Sequence, residues 1–277
     1  MSLLSSILLG FIQGLTEFLP VSSSGHLAIA EHLLGMSGAS DIPEFFDVLL
    51  HFGTLISVFI IYWQDIVDMV REFFLGVAAL FRPGQRTNPP PARRLVMLVI
   101  VGTLPLFLIL PIKDWVEQLY YNTYFIGFAL LATGALLYLS DRLSRGKKTE
   151  KGATVVDALL VGASQALATV PGLSRSGTTI AVGMLRGYDR SFAVRYSFLL
   201  SLPAVLGANI LSLKNAVEGG IDWSMLPVYL FGMVIAAVAG YFSIRLVNLL
   251  ANKGKFGNFA YYCWAVGALA LILSVLL

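Results

Sequence analysis

Two short segments hold most of the residues whose types could do chemistry. The first, Gln13 to His26, carries Gln13, Glu17 and His26 with hydroxyls at Thr16, Ser22, Ser23 and Ser24; the second, Pro171 to Thr179, carries Arg175 among Ser174, Ser176, Thr178 and Thr179. A carboxylate, a histidine, an arginine and several hydroxyls around Gly-rich breaks form a set suited to phosphate chemistry. Arg175 offers a planar fork of donors for phosphate oxygens. The backbone amides of Ser176, Gly177 and Thr178, where they open a helix, make an anion site, and Ser24, Gly25 and His26 could do the same from the other side. Gln13 and Glu17, four apart, share a helix face and present two oxygens to one point, as Mg²⁺ or Ca²⁺ requires. Zinc fits poorly with so few His and Cys ligands. His26 lies three residues after Ser23, where a neutral imidazole could take a hydroxyl proton or protonate a leaving group; the nucleophile is Ser23 or water. Asp47 and His51, also four apart, either extend this site or form a local hydrogen-bonded pair.

The elements that must position these groups are membrane helices. Of 277 residues, 57% are hydrophobic and 13% charged, about half the usual charged share, and the mean hydropathy is +0.79, which excludes an ordinary water-soluble domain. The fold class is all-α and polytopic. A net charge of +3 gives nucleic acid no purchase, and the single Cys263 in an apolar run excludes disulfides and Cys-rich metal sites. The start, Met1-Ser2-Leu3-Leu4, lacks the basic region of a signal peptide, so residues 1–277 are read as one integral membrane domain. Composition carries no oligomer signal.

Six stretches are long enough to span a bilayer: 45–63, 93–112, 120–140, 192–213, 226–249 and 258–277. Two more, 4–35 and 154–187, are broken at the centre by Pro, Gly and Ser. Their unpaired backbone groups must be covered by protein or line a wet cavity, so both are read as re-entrant helix-loop-helix pairs. At an offset of 152, Leu8, Gly10, Gln13, Leu15, Ser22, Ser24, Gly25, Leu33 and Gly35 recur as Leu160, Gly162, Gln165, Leu167, Ser174, Ser176, Gly177, Leu185 and Gly187. Residues 1–140 and 154–277 are then two repeats, each a re-entrant pair plus three spans; three is odd, so the second copy enters inverted and the two breaks face each other. Thr169 stands where the first repeat has Glu17, so the halves are not chemically equivalent.

Basic residues crowd four connections, around Arg71 to Arg94, Arg142 to Lys151, Arg186 to Arg195, and Arg245 to Lys255. All four fall on one side of a six-span arrangement, the cytoplasmic side by the positive-inside rule, which places both termini outside. Asp68 to Phe81, apolar on one face and charged on the other, reads as a helix on the inner interface. Glu31 and His32 read as solvated near the outer surface.

Two continuous motifs, Gln13-Gly14-Leu15-Thr16-Glu17-Phe18-Leu19-Pro20-Val21-Ser22-Ser23-Ser24-Gly25-His26 and Pro171-Gly172-Leu173-Ser174-Arg175-Ser176-Gly177-Thr178-Thr179, together resemble the signatures of the undecaprenyl-diphosphate phosphatases of bacterial inner membranes, also called bacitracin-resistance proteins. The resemblance covers essentially the whole chain. It implies hydrolysis of undecaprenyl diphosphate to undecaprenyl phosphate and inorganic phosphate, recycling the lipid carrier of peptidoglycan synthesis, with a divalent cation as cofactor and an active site open to the outer face. By motif position, Glu17 would bind metal or orient the site, Ser23 would attack the terminal phosphate, His26 would handle the proton and Arg175 would hold the diphosphate. Ser22, Ser24, Gly25, Ser174, Ser176, Gly177, Thr178 and Thr179 would cradle it. The family begins its acidic motif with Glu or Gln, and Gln13 here leaves Glu17 as the only charged ligand of that pair. The rival from another class is a lipid-phosphate or anion carrier, which would use the same broken helices but need neither Ser23 nor His26.

Overall fold

A computed structural model describes residues 1–33, 43–80, 89–119 and 122–276. Expectations for Arg82, Arg86 and Phe81 fall outside these residues, as do those for the side chains of Glu31 and His32. Among the described residues twelve α-helices follow in order: α1 (Leu3–Phe18), α2 (Ser23–Leu33), α3 (Glu44–Ile61), α4 (Trp63–Leu80), α5 (Pro91–Thr103), α6 (Lys113–Gln118), α7 (Thr123–Leu143), α8 (Val155–Leu167), α9 (Arg175–Leu185), α10 (Arg190–Gly219), α11 (Leu226–Asn252) and α12 (Phe259–Leu276). Among the described residues the only extended pairing is an isolated bridge between Lys148 and Tyr188.

Among the described residues, five helical segments, Glu44–Ile61, Pro91–Ile112, Thr123–Leu143, Arg190–Gly219 and Trp223–Asn252, are long and apolar enough to cross a membrane, so the chain is a polytopic membrane protein. The stretch expected at 258–277 falls on α12. Pro105 lacks an amide hydrogen and ends α5 at Thr103, where the chain tightens into 3₁₀ turns over Leu104–Leu108 and Leu110–Ile112.

The two interrupted stretches become helix pairs. Leu19 is extended ahead of Pro20, which disfavours a helical residue before it, and Ser22 has φ 70°, a left-handed conformation that turns the chain into α2. In the second break Gly172 has φ 86°, and Ser174 caps α9 through its hydroxyl. α8 opens on a capping box in which Thr154 and Asp157 satisfy each other's amides.

Small residues decide how the pairs seat. α1 packs on α11 and α8 on α5. A methyl group on Gly10 would fall onto the carbonyl of Gly232, one on Gly14 onto that of Ala236, and one on Gly162 onto that of Gly102. Backbones therefore touch at both seams, as small residues permit between membrane helices. Each helix before a break thus rests on a helix from the other half of the chain.

Ion pairs gather at one end of the bundle. Fully buried Asp157 accepts from Lys148 Nζ at 2.9 Å, Arg186 Nε at 2.9 Å and the Thr154 amide at 3.0 Å. Asp141 accepts from Arg190 and from the Gly257 amide at 2.8 Å. Arg195 meets Asp65 at 2.7 and 3.1 Å and Glu150 at 3.9 Å. α4 begins at Trp63, earlier than the amphipathic stretch read from Asp68; it exposes Trp63, Val67, Val70, Phe73, Phe74 and Val77 and directs Asp65 to this ionic end.

Candidate active site

Away from the ionic end, the two breaks and the first part of α3 enclose a cavity of about 380 Å³. α1 contributes Gln13, Thr16 and Glu17; the start of α2 contributes Ser23, Ser24 and Leu27; α3 contributes Asp47 and His51; the second break contributes Ala168, Thr169, Leu173, Ser174 and Arg175. α1 delivers its polar residues because Gln13 and Glu17 lie one turn apart on the face turned from lipid. The cavity is thus assembled from both halves of the chain.

Glu17 is its centre. One carboxylate oxygen, Oε1, pairs with Arg175 Nη2 from the opposite break. The other, Oε2, accepts from the Ser23 hydroxyl at 2.9 Å and from Gln13 Nε2 at 3.2 Å. Gln13 Nε2 also lies 3.1 Å from His51 Nδ1. Among the described residues, Arg175 Nη1 and Gln13 Oε1 are buried without a hydrogen-bond partner. A serine hydroxyl bonded to a carboxylate, with an arginine on that carboxylate and an uncommitted donor beside it, can attack an electrophile and hold its anionic oxygens.

His26 is placed differently. Its Nδ1 lies 2.8 Å from the Ser22 carbonyl, its Nε2 lies 2.7 Å from the Tyr262 hydroxyl, and its ring stacks on that of Tyr262 at 5.6 Å. Donation to the carbonyl places the hydrogen on Nδ1, so Nε2 accepts from Tyr262. His26 thereby braces the left-handed Ser22 and does not line the cavity. The hydrogen-bond acceptor of the Ser23 hydroxyl is Glu17.

Of the other residues expected to cradle substrate, Ser24 and Ser174 line the cavity, as do Asp47 and His51. Ser22, Gly25, Ser176, Gly177, Thr178 and Thr179 do not. Two of the amides expected to bind an anion are committed within their own turn: Gly177 donates to the Ser174 hydroxyl at 3.1 Å and Thr178 to the Ser174 carbonyl at 2.8 Å. Thr179 turns toward Ser197 of α10. Leu27, Ala168 and Leu173 complete the wall, apolar positions that no chemical signal distinguishes from core.

Residues 6–269 match the family model of the bacitracin resistance protein BacA. The chain belongs to the BacA family. Within it, the chain is 40% identical to the undecaprenyl-diphosphatase of Methanosphaera stadtmanae over 282 aligned residues, covering all of both chains. It is 42% identical to that of Alkaliphilus metalliredigens over 278 residues, again covering both completely, and 42% identical to that of Halothermothrix orenii over 275 residues, covering 99% of each. In this BacA chain the two motifs read from the sequence are the two breaks that meet at Glu17 and Arg175.

A divalent cation finds a thin donor set in this BacA site. Among the described residues no three His, Cys, Asp or Glu side chains are grouped as a protein-made metal site needs. Gln13 also turns its NH₂ to Glu17, contrary to the expectation of two oxygens converging, because a carboxylate can only accept. What remains is the Glu17 carboxylate itself, since the Gln13 carbonyl is turned away from it. One or two such oxygens suit a cation held mainly by phosphate oxygens, the usual manner of Mg²⁺.

Proposed function

We infer that this protein hydrolyses undecaprenyl diphosphate to undecaprenyl phosphate and inorganic phosphate, recycling the lipid carrier for peptidoglycan synthesis and so conferring resistance to bacitracin. One observation carries the residue assignment: the Ser23 hydroxyl donates to Glu17 while Glu17 is paired to Arg175 across the two halves.

The proposed chemistry uses groups already in contact. Ser23 Oγ bonds to the terminal phosphorus as its proton passes to Glu17, and the bond from that phosphorus to the bridging oxygen breaks, releasing undecaprenyl phosphate. Glu17 hands that proton to the departing bridging oxygen. Water then attacks the phosphoserine phosphorus as its proton passes to Glu17, the bond from phosphorus to Ser23 Oγ breaks, Oγ takes the proton back from Glu17, and inorganic phosphate leaves. Arg175, with Nη1 uncommitted, holds the diphosphate oxygens, and electrostatic stabilisation of the transferring phosphoryl group is the main contribution. Ser24 and Ser174 add hydroxyl donors from the two breaks. A cation arriving with the diphosphate, Mg²⁺ or Ca²⁺, would be held by Glu17 and would supply charge neutralisation. His26 serves this reading by fixing the Ser22 backbone one residue before the nucleophile.

The accompanying topology is six spans and two re-entrant pairs, the second repeat inverted, in the bacterial cytoplasmic membrane. Basic connections gathered at one end, with the cavity away from it, support a site open to the outer face and both termini outside. The prenyl tail stays in lipid, because a cavity of about 380 Å³ accommodates a headgroup and not a long chain.

The test is phosphate release from undecaprenyl diphosphate by purified protein in detergent, with Mg²⁺, Ca²⁺ or chelator. Ser23→Ala and Arg175→Ala are expected to abolish turnover in folded protein, and His26→Ala to lower it. A wild-type protein that binds the lipid phosphate yet releases none under any of these conditions would replace the hydrolase with a carrier.

A further inference from the structure

Glu17 is held from a third direction by residues that the reaction above leaves without a proton-transfer role. Gln13 is fully buried, and its Nε2 is shared between Glu17 Oε2 at 3.2 Å and His51 Nδ1 at 3.1 Å. The carboxylate accepts only, so the amide orientation is dictated: NH₂ toward Glu17, carbonyl away. That nitrogen carries a second hydrogen, and His51 Nδ1 meets it only as an acceptor. His51 is therefore the neutral tautomer with its hydrogen on Nε2. On its far side His51 Nε2 lies 3.9 Å from Asp47 Oδ2, outside hydrogen-bond distance, so its contact with Gln13 is the ring's one side-chain hydrogen bond within this cluster.

Ser23 donates to the same oxygen that Gln13 holds. Glu17 Oε1 is tied to Arg175, but the terminal torsion of a glutamate is soft, and a single tie leaves Oε2 free to swing. The amide closes that freedom, and the imidazole fixes the amide. We propose that Gln13 and His51 are positioning residues of the phosphatase: the tautomer-fixed imidazole steers the Gln13 amide, which holds the Glu17 oxygen that takes the Ser23 proton. The inference rests on reading Ser23 and Glu17 as the reacting pair.

The test uses full-length protein in detergent, each variant checked by thermal unfolding, with kcat and KM for phosphate release from undecaprenyl diphosphate. His51→Leu and Gln13→Met are each expected to lower kcat by about 10²-fold, the usual consequence of a loosened catalytic group, with KM little changed. The double variant is expected to be no worse than either single one, because both remove the same link. His51→Asn, whose Oδ1 falls near Nδ1 and accepts from the amide, is expected to recover most of kcat, whereas His51→Gln, which extends toward Nε2, is not. Recovery by Gln with a change confined to KM would place Nε2 on the substrate and overturn the proposal; wild-type kcat in His51→Leu, or additive losses in the double variant, would overturn it too. If His51→Leu fails to fold, the contrast between Asn and Gln decides. Ser23→Ala separates the two readings: inert Ser23→Ala beside unaffected His51→Leu removes this inference alone, and active Ser23→Ala removes both.

Discussion

Substituting Gly14 by alanine probes whether the seam between α1 and α11 sets the active site. A methyl on Gly14 would fall onto the Ala236 carbonyl oxygen, and it would lie 2.7 Å from Ala239 Cβ and 3.0 Å from Gly240 N. Ordinary contact begins at 3.4 Å, so α1 must retreat by at least 3.4 − 2.7 = 0.7 Å. α1 moves as a rod and carries Gln13 and Glu17 with it. A retreat of that size is enough to break the hydrogen bond from Gln13 to His51 on α3, now 3.1 Å long. Two effects are expected together: about 1–3 kcal/mol of lost stability from overpacking, and a fall in kcat of about 10²-fold from misplacing the carboxylate. Thermal unfolding in detergent reads the first and phosphate release from undecaprenyl diphosphate the second. Gly207→Ala is the control, since nothing lies within 4 Å of its added methyl; it should keep wild-type kcat and gain up to ~1 kcal/mol of helix propensity. Gly14→Ala with wild-type unfolding temperature and kcat would refute the reasoning.

Two further predictions concern the ionic end. Asp189 caps α10, accepting from the Ser191 hydroxyl at 2.6 Å and from the amides of Ser191 at 3.0 Å and Phe192 at 3.4 Å. The Ser191 hydroxyl holds its carboxyl below the usual 3.8; burial pulls the other way, and the backbone amides of Phe192, Ser191 and Arg190 add to the lowering. A depressed carboxyl stabilises the fold above its unfolded pKa and loses that contribution as pH falls through the folded one. Asp189→Ala should therefore cost about 1 kcal/mol at neutral pH, and the gap to wild type should close below pH 3.8 in paired unfolding measurements. Asp157→Ala removes the shared acceptor of Lys148, Arg186 and the α8 cap and should destabilise by about 3 kcal/mol, the low end for a broken buried pair because both cations reach solvent. The folded fraction should keep wild-type kcat.

The parts of the site legible in the sequence were those whose cost demanded an explanation. Glu17 and Arg175 are expensive at membrane depth, and the matching breaks around them pointed to their meeting. Asp47 and His51 were visible as a pair, but their place in the cavity depends on α3 packing beside α1. Spacing misled at His26: three residues from Ser23 suggests one helix face, yet Ser23 is the first residue of α2 and overhangs the break, while His26 already sits on the flank that meets Tyr262, 236 residues away. Gln13 misled for another reason. An amide offers an oxygen and a nitrogen, and only its neighbour, a carboxylate, selects the nitrogen. Two of the three amides of the anion site expected at the start of α9, those of Gly177 and Thr178, are taken by Ser174, the residue type that commonly caps a helix.

The seam between α1 and α11 bears on how the protein is made. α1 ends at Phe18, and the helix it rests on is complete only at Asn252, so at about 5–20 residues per second the ribosome needs on the order of tens of seconds to supply the partner. Throughout that interval Gln13 and Glu17 have no finished groove to enter, and Arg175, the counter-charge of Glu17, arrives only with the second half of the chain. The N-terminal half is thus synthesised as an unfinished insertion, waiting at the membrane for its complement, and its docking is a late step of biogenesis rather than an early one.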